Sequence, residues 1–122
     1  HIGAATGYVH YAGDPEKFYR FVAGHSSFEL LGMIVVGIAG LKLGGALLAP
    51  GRYPRGQALT RAGRAGLPLL LGGAAMTAFA AVVEGFWSAQ PLPTGLKYAI
   101  GLAFWLLHLV YFLFAGRGAD GA

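Results

Sequence analysis

The stretch FELLGMIVVGIAGLKLGGALL, residues 28–48, determines the class of fold. Its only interior charge is Lys42, and it is long enough to cross a bilayer as a helix, which takes about 20 residues. The rest of the chain agrees: 56% of the 122 residues are hydrophobic and 11% are charged, too few charges to cover a soluble domain of this size. The stretch therefore predicts a membrane-spanning helix over residues 27–48.

Two further stretches have the same character. Residues 67–87 contain Glu84 as their only charge, and residues 95–115 carry Lys97 near their start. Backbone polar groups in lipid must be satisfied within the segment, which favours helices over strands. We therefore predict an all-α, polytopic membrane protein with three transmembrane helices and short interfacial helices.

The loops predict the orientation of these spans. Residues 49–66 carry four arginines and no acid, whereas residues 88–94 are uncharged. Short basic loops stay in the cytoplasm, so 49–66 and the tail 116–122 are expected inside, and 1–26 and 88–94 outside. We therefore predict a multi-pass protein with its C-terminus inside, and we expect the membrane to be the bacterial cytoplasmic (inner) membrane. The arginines predicted to bind a partner or anionic lipid are Arg52, Arg55, Arg61 and Arg64.

Two short interfacial helices are predicted outside the spans. Asp14-Pro15 is typical of a helix start, with Asp as cap and Pro in the first position, and predicts a helix from Pro15 to Ala23. Within the basic loop, apolar residues recur at helical spacing from Gln57 to Ala65. A solvated basic loop is the alternative for that second segment.

Ionisable groups at membrane depth are costly, and four of them are predicted near the outer face: His25, Glu29, Glu84 and Lys97. His25 and Glu29 have the spacing of two metal ligands, but Ser26 to Glu29 also forms a capping box, and we predict no metal and no cofactor. The cluster is either structural, most simply a Glu84–Lys97 ion pair, or a site that handles protons or substrate.

Small residues indicate where helices pack. Residues 40–44 match a GxxxG pattern, which lets helix backbones approach closely in membranes. The contact is expected either between helices of this chain or with another subunit. A second copy of the chain, as in a homo-oligomer, is one such subunit. The chain contains no cysteine, which excludes disulfides and thiolate metal sites. The predicted packing glycines are Gly37, Gly40, Gly44 and Gly73.

In order along the chain, these motifs resemble the stage II sporulation protein M family of integral membrane proteins. The resemblance rests on FVAGHSSFELLGMIVVGIAGLKLGGALLAPGR, on RGQALTRAGR, on VVEGFWSAQPLP and on KYAIGLAFWLLHLVYFLFAGR, and it covers about residues 18–117. Ser26 stands where the family usually has Gly after the His. Family members usually have further spans upstream, so the chain is expected to be the C-terminal half.

The resemblance implies a limited range of functions. The family member that acts in sporulation resembles a scaffold: it assembles with membrane-anchored proteins that degrade peptidoglycan. Relatives in non-sporulating bacteria are often encoded beside an AAA+ ATPase and von Willebrand-type proteins, which become candidate cytoplasmic partners. We predict a non-enzymatic membrane scaffold, with His25, Glu29 and Glu84 carried over as positions that matter for assembly or for an unknown site. The alternatives are a transport or channel component and, third, an intramembrane hydrolase. No nucleic acid partner is predicted.

Overall fold

A computed structural model describes residues 2–115, and the predicted tail 116–122 lies outside them. The described chain consists of helices and short turns, with no strand, which confirms the predicted fold class. The helices are α1 (Ile2–Ala12), α2 (Pro15–Val22), α3 (Ser26–Leu48), α4 (Arg55–Val82), a π-helical segment (Val83–Ser88) that continues α4, and α5 (Thr94–Phe114).

Three of these helical stretches are long and apolar enough to cross a membrane: Ser26–Leu48, Arg55–Ser88 and Thr94–Phe114. Most of their large apolar side chains are exposed, and the buried hydrophobic residues of the described chain are all alanines, at positions 39, 58 and 80. Helices that are apolar all round and little covered by protein are typical of membrane spans. The chain is therefore a multi-pass membrane protein.

Helix α2 begins as the sequence predicts. The Asp14 carboxylate accepts a hydrogen bond from the Lys17 backbone N–H at 3.0 Å, and Pro15 occupies the first turn. An N-cap carboxylate satisfies one of the amides that a helix start leaves free, and Pro loses nothing there because it has no N–H to satisfy. Asp14 and Pro15 together fix where this helix starts.

Helix α4 starts much earlier than the predicted span. It begins at Arg55 and runs without a break through Pro68, so most of the predicted loop 49–66 is helical. Residues 55–65 are mostly Ala, Leu, Gln and Arg, which are strong helix formers. Pro68 removes one backbone donor, but the turns on either side hold the helix together across it.

The chain divides into two compact units. The α3–α4 unit comprises residues 28–80, and the junction unit comprises the described residues up to Ser27 together with those from Ala81 onward.

In the α3–α4 unit, the two helices run side by side in opposite directions. Phe28 packs against Phe79, with ring centroids 4.6 Å apart. A Cβ added at Gly73 would lie 2.7 Å from the Gly32 carbonyl oxygen, and further along Gly66 lies against Ala39. The missing side chains allow the two backbones to approach closely.

In the junction unit, α2 contacts the π-helical segment and α5. A Cβ at Gly101 would overlap the Ala23 carbonyl oxygen, and one at Gly24 would overlap the Trp87 ring. Both glycines are buried. The turn after α2 is therefore held tightly against α5 and against the end of the π-helical segment.

Candidate functional site

Three buried polar residues meet in the junction unit, and we call them the polar junction: His25, Ser88 and Lys97. The His25 Nδ1 atom lies 3.1 Å from the Ser88 hydroxyl, and the Lys97 ammonium donates to the Ser88 carbonyl oxygen at 2.6 Å. Each of the three is at most 3% exposed. Ser88 thus contacts His25 through its side chain and Lys97 through its backbone carbonyl.

The position of Ser88 at the end of a helix explains the contact with Lys97. The last carbonyls of a helix have no partner within it, and they form the negative end of the helix dipole. The residues that follow, Ala89 to Pro93, make a tight turn that brings the first turn of α5 back to this helix end. A lysine in that first turn can therefore cap the free carbonyl, which partly offsets the cost of burying its charge.

Aromatic rings enclose the polar junction. The Phe21 ring lies edge-on to the His25 ring, with centroids 5.5 Å apart, and the Lys97 ammonium lies 5.8 Å from the centroid of the Trp87 ring. A cation over an aromatic face gains electrostatic energy, more so where water is excluded. The Trp87 ring thus helps to stabilise the Lys97 charge.

Ser27 is a second buried hydroxyl in this unit, and it differs from Ser88. Its side chain is 1% exposed, and its Oγ atom has no hydrogen-bond partner within the described residues. A buried hydroxyl without a partner costs free energy, because it has lost its hydrogen bonds to water. Ser27 is therefore a local weak point beside His25.

The four predicted cluster residues do not all join the polar junction. His25 and Lys97 are brought together through Ser88. Glu84 lies in the π-helical segment with its side chain exposed, and within residues 2–115 it forms no ion pair with Lys97. Glu29 lies in the first turn of α3, where a carboxylate complements the positive end of the helix dipole, and it belongs to the α3–α4 unit.

Sequence reasoning missed Ser88. A serine at the end of a span has no distinctive spacing, and its role depends on the turn that brings Lys97 to its carbonyl. One signal was available: Lys97 follows the short 88–94 turn, so a lysine at the start of α5 must face the end of the preceding helix.

The predicted arginines lie at the start of α4 and in the turn before it, and all four are exposed. The Arg61 guanidinium lies 4.6 Å from the centroid of the Tyr53 ring. Together with Gln57, Thr60 and Arg64, these two residues line an open groove of about 360 Å³. We call residues 52–64, which carry these four arginines, the basic segment. Most of it is the first part of helix α4 and not an irregular loop.

The predicted packing glycines fall into two groups. Gly73 is buried against Val36 and Gly32. Gly37, Gly40 and Gly44 have nothing within 4 Å of the position a Cβ would take. Within the described chain, no group of three His, Cys, Asp or Glu residues is placed to hold a metal ion.

Comparison with known proteins identifies the family. Residues 1–89 match the family model of stage II sporulation protein M, which is well over half of the chain, and the chain therefore belongs to that family. The match takes in α1, which lies outside the residues 18–117 of the predicted resemblance, and it ends before α5, so the last of the resembling stretches, residues 97–117, lies beyond it. No curated protein and no solved structure matches the chain.

Proposed function

We propose that this member of the stage II sporulation protein M family is a non-enzymatic assembly component of a bacterial inner-membrane complex. The basic segment and the C-terminus face the cytoplasm in this proposal, because short basic segments are retained on that side. The observation that carries the proposal is the open glycine face of α3, formed by Gly37, Gly40 and Gly44.

These three glycines lie on one side of α3, because they are spaced three and four residues apart. Glycine inside a helix costs roughly 0.5–1 kcal/mol relative to alanine. Gly32 and Gly73 offset that cost by letting α3 and α4 approach each other. The open face has no such neighbour within the described chain, so a helix of another subunit, or of a second copy, is the partner that would make it useful.

The basic segment supports the same proposal. Four exposed arginines at the start of α4 and in the turn before it can bind anionic lipid or an acidic cytoplasmic protein. An AAA+ ATPase or a von Willebrand-type protein is the candidate partner that the family resemblance suggests. The two surfaces would give the chain one contact within the membrane and one at its inner face.

The test is a mild-detergent pull-down with mass spectrometry on Gly40→Leu/Gly44→Leu. We expect the variant to keep its helix content and to lose a stoichiometric partner or its self-association. Gly72→Leu is the matched control, since Gly72 on α4 also has open space around it and should retain every partner. Reversing Arg61 and Arg64 to Glu tests the inner-face contact in the same assay. Retention of all copurifying proteins by both the glycine and the arginine variants would contradict the proposal.

A transport component is the second candidate, and the buried polar junction is the observation that favours it. Polar and ionisable groups within a membrane bundle often line a path for ions or protons. Solute and proton flux through proteoliposomes that hold the purified chain separates the two candidates, because an assembly component leaves the vesicles tight.

A further inference from the structure

We propose that the junction unit binds a phosphate group in a cavity formed by α2, the 88–91 turn and the first turn of α5. This site goes beyond the assembly role above and shares no residue with the glycine face or the basic segment. The phosphate could belong to a lipid headgroup or to a soluble ion, and the experiment below distinguishes these sources.

The cavity has a volume of about 330 Å³. Lys17, Arg20 and Phe21 line it from one face of α2, residues 88–91 line it from the turn, and Lys97 lines it from α5. At about 30 Å³ of liquid volume per water molecule, it has room for a phosphate group with part of its substituent or its first waters. All of these elements belong to one compact unit.

The charges in the lining are all positive. Lys17, Arg20 and Lys97 contribute to it, and no carboxylate does. Arg20 is near enough to act electrostatically on the Lys97 ammonium. Like charges in one partly enclosed space repel each other more strongly than in bulk water, so a bound anion would stabilise the arrangement.

Lys97 is the residue that makes this cavity more than a basic surface. Its side chain is 2% exposed, and its hydrogen bond goes to a neutral carbonyl, that of Ser88. Buried charges in proteins are normally paired with an opposite charge. The helix end at Ser88 supplies part of that compensation, and the remaining counter-charge is the one a phosphate group would bring.

The acids nearest in sequence do not line this cavity. Asp14 and Glu16 line a different cavity together with Lys17 and Arg20, and the Asp14 carboxylate accepts a hydrogen bond from the α2 backbone. A phosphate group suits the remaining donors: a free phosphate ion offers three or more unbridged oxygens and up to two negative charges at neutral pH, and a phosphodiester headgroup offers two unbridged oxygens and one charge. The sequence predicts that the 88–94 turn lies on the outer side of the membrane. A lipid headgroup or a soluble phosphate ion can reach the cavity there.

The experiment uses the full chain in phosphatidylcholine nanodiscs. Inorganic phosphate is titrated at constant ionic strength, and binding is measured by calorimetry. In a second arm, phosphatidylglycerol is added to the nanodiscs and the lipid retained by the protein is counted by native mass spectrometry. The variants are Arg20→Gln and Lys97→Gln, and the control is Lys42→Gln, which removes an exposed positive charge from the α3–α4 unit.

We expect wild type and Lys42→Gln to bind at least one probe equally, and Arg20→Gln to bind it roughly tenfold more weakly, the usual scale for one lost charged hydrogen bond. Binding of inorganic phosphate supports a soluble ligand, and retention of phosphatidylglycerol alone supports a lipid headgroup. Absence of binding by wild type, or equal affinities for Arg20→Gln and Lys42→Gln, would overturn the proposal. Arg20 is only partly buried, whereas Lys97 is almost fully buried, so the Arg20 variant carries the test even where Lys97→Gln does not fold.

Discussion

The two units of this protein pack their helices by the same means but bury different groups. In the α3–α4 unit, Gly32 and Gly73 let two helix backbones meet, and the contact is otherwise apolar, as between Phe28 and Phe79. In the junction unit, glycines allow an equally close approach, and His25, Ser88 and Lys97 are buried beside it.

The difference shows what each kind of contact provides in lipid. Lipid tails are as apolar as the helices, so burying apolar side chains against each other brings little net gain, and close van der Waals contact supplies the stability. Apolar contact alone fixes the helix register only through shape. Hydrogen bonds such as that from Lys97 to the Ser88 carbonyl form at one register only, so the junction unit specifies its geometry more tightly.

The largest effect is expected from Gly101→Ala in the junction unit. The added methyl group would overlap the Ala23 carbonyl oxygen, which is backbone and cannot move aside as a side chain could. We expect a loss of about 3 kcal/mol in the free energy of unfolding, the upper range for overpacking. Reversible unfolding in mixed detergent micelles measures this loss.

Gly95→Ala on the same helix is the control for that measurement. Nothing lies within 4 Å of a Cβ at Gly95, so this variant should be neutral or slightly stabilising. Equal stabilities for the two variants would mean that the turn after α2 does not press against α5 in the folded protein.

A smaller loss is expected from Gly73→Ala in the α3–α4 unit. The added Cβ would lie 2.6 Å from Val36 Cγ2 and 2.7 Å from the Gly32 carbonyl oxygen, and the valine can partly move aside. We expect a loss of about 2 kcal/mol in the same unfolding assay. The neighbouring Gly72→Ala has open space and should lose nothing, so indistinguishable variants would rule out the proposed α3–α4 contact face.

The smallest loss is expected from Ser88→Ala. It removes the hydroxyl that His25 contacts but keeps the backbone carbonyl that binds Lys97. Hydrogen bonds between membrane helices contribute about 0.6 kcal/mol on average, so we expect a loss of about 1 kcal/mol at this buried position. Unfolding in mixed micelles is again the measurement.

Ser27→Ala is the matched counterpart and should act in the opposite direction. The Ser27 hydroxyl is buried without a partner in the described chain, so replacing it with a methyl group is expected to stabilise the protein by a few tenths to about 1 kcal/mol. If both serine variants lose stability equally, the distinction between a satisfied and an unsatisfied hydroxyl in this unit is wrong.

Much of the architecture could be predicted from the sequence because it depends on local properties. Length and apolar content predicted three membrane helices, and Asp14 with Pro15 predicted the start of α2, which the structure confirms. The ordered motifs indicated the family, which the match over residues 1–89 confirms. The early start of α4 was only partly foreseen, since a short helix within a basic loop and the beginning of a long span have the same local pattern.

The candidate site was harder to predict for a physical reason. The sequence placed ionisable residues near the outer ends of spans, but it paired Lys97 with Glu84. The turn after Ser88 brings the free Ser88 carbonyl close to Lys97. Every residue has a backbone carbonyl, so the residue types do not indicate which carbonyl accepts the hydrogen bond.

The sequence by itself determined that this chain is helical, crosses the membrane several times and belongs to its family, because these follow from apolar length, capping residues and motif order. Only the tertiary structure decided which glycines are in contact and which remain open, and that Ser88 connects His25 with Lys97. Helix α3 is apolar on every side, so its pattern does not indicate which face meets a neighbour. That choice depends on how each helix is rotated about its axis, which is settled by the fit of whole surfaces rather than by any one stretch of sequence.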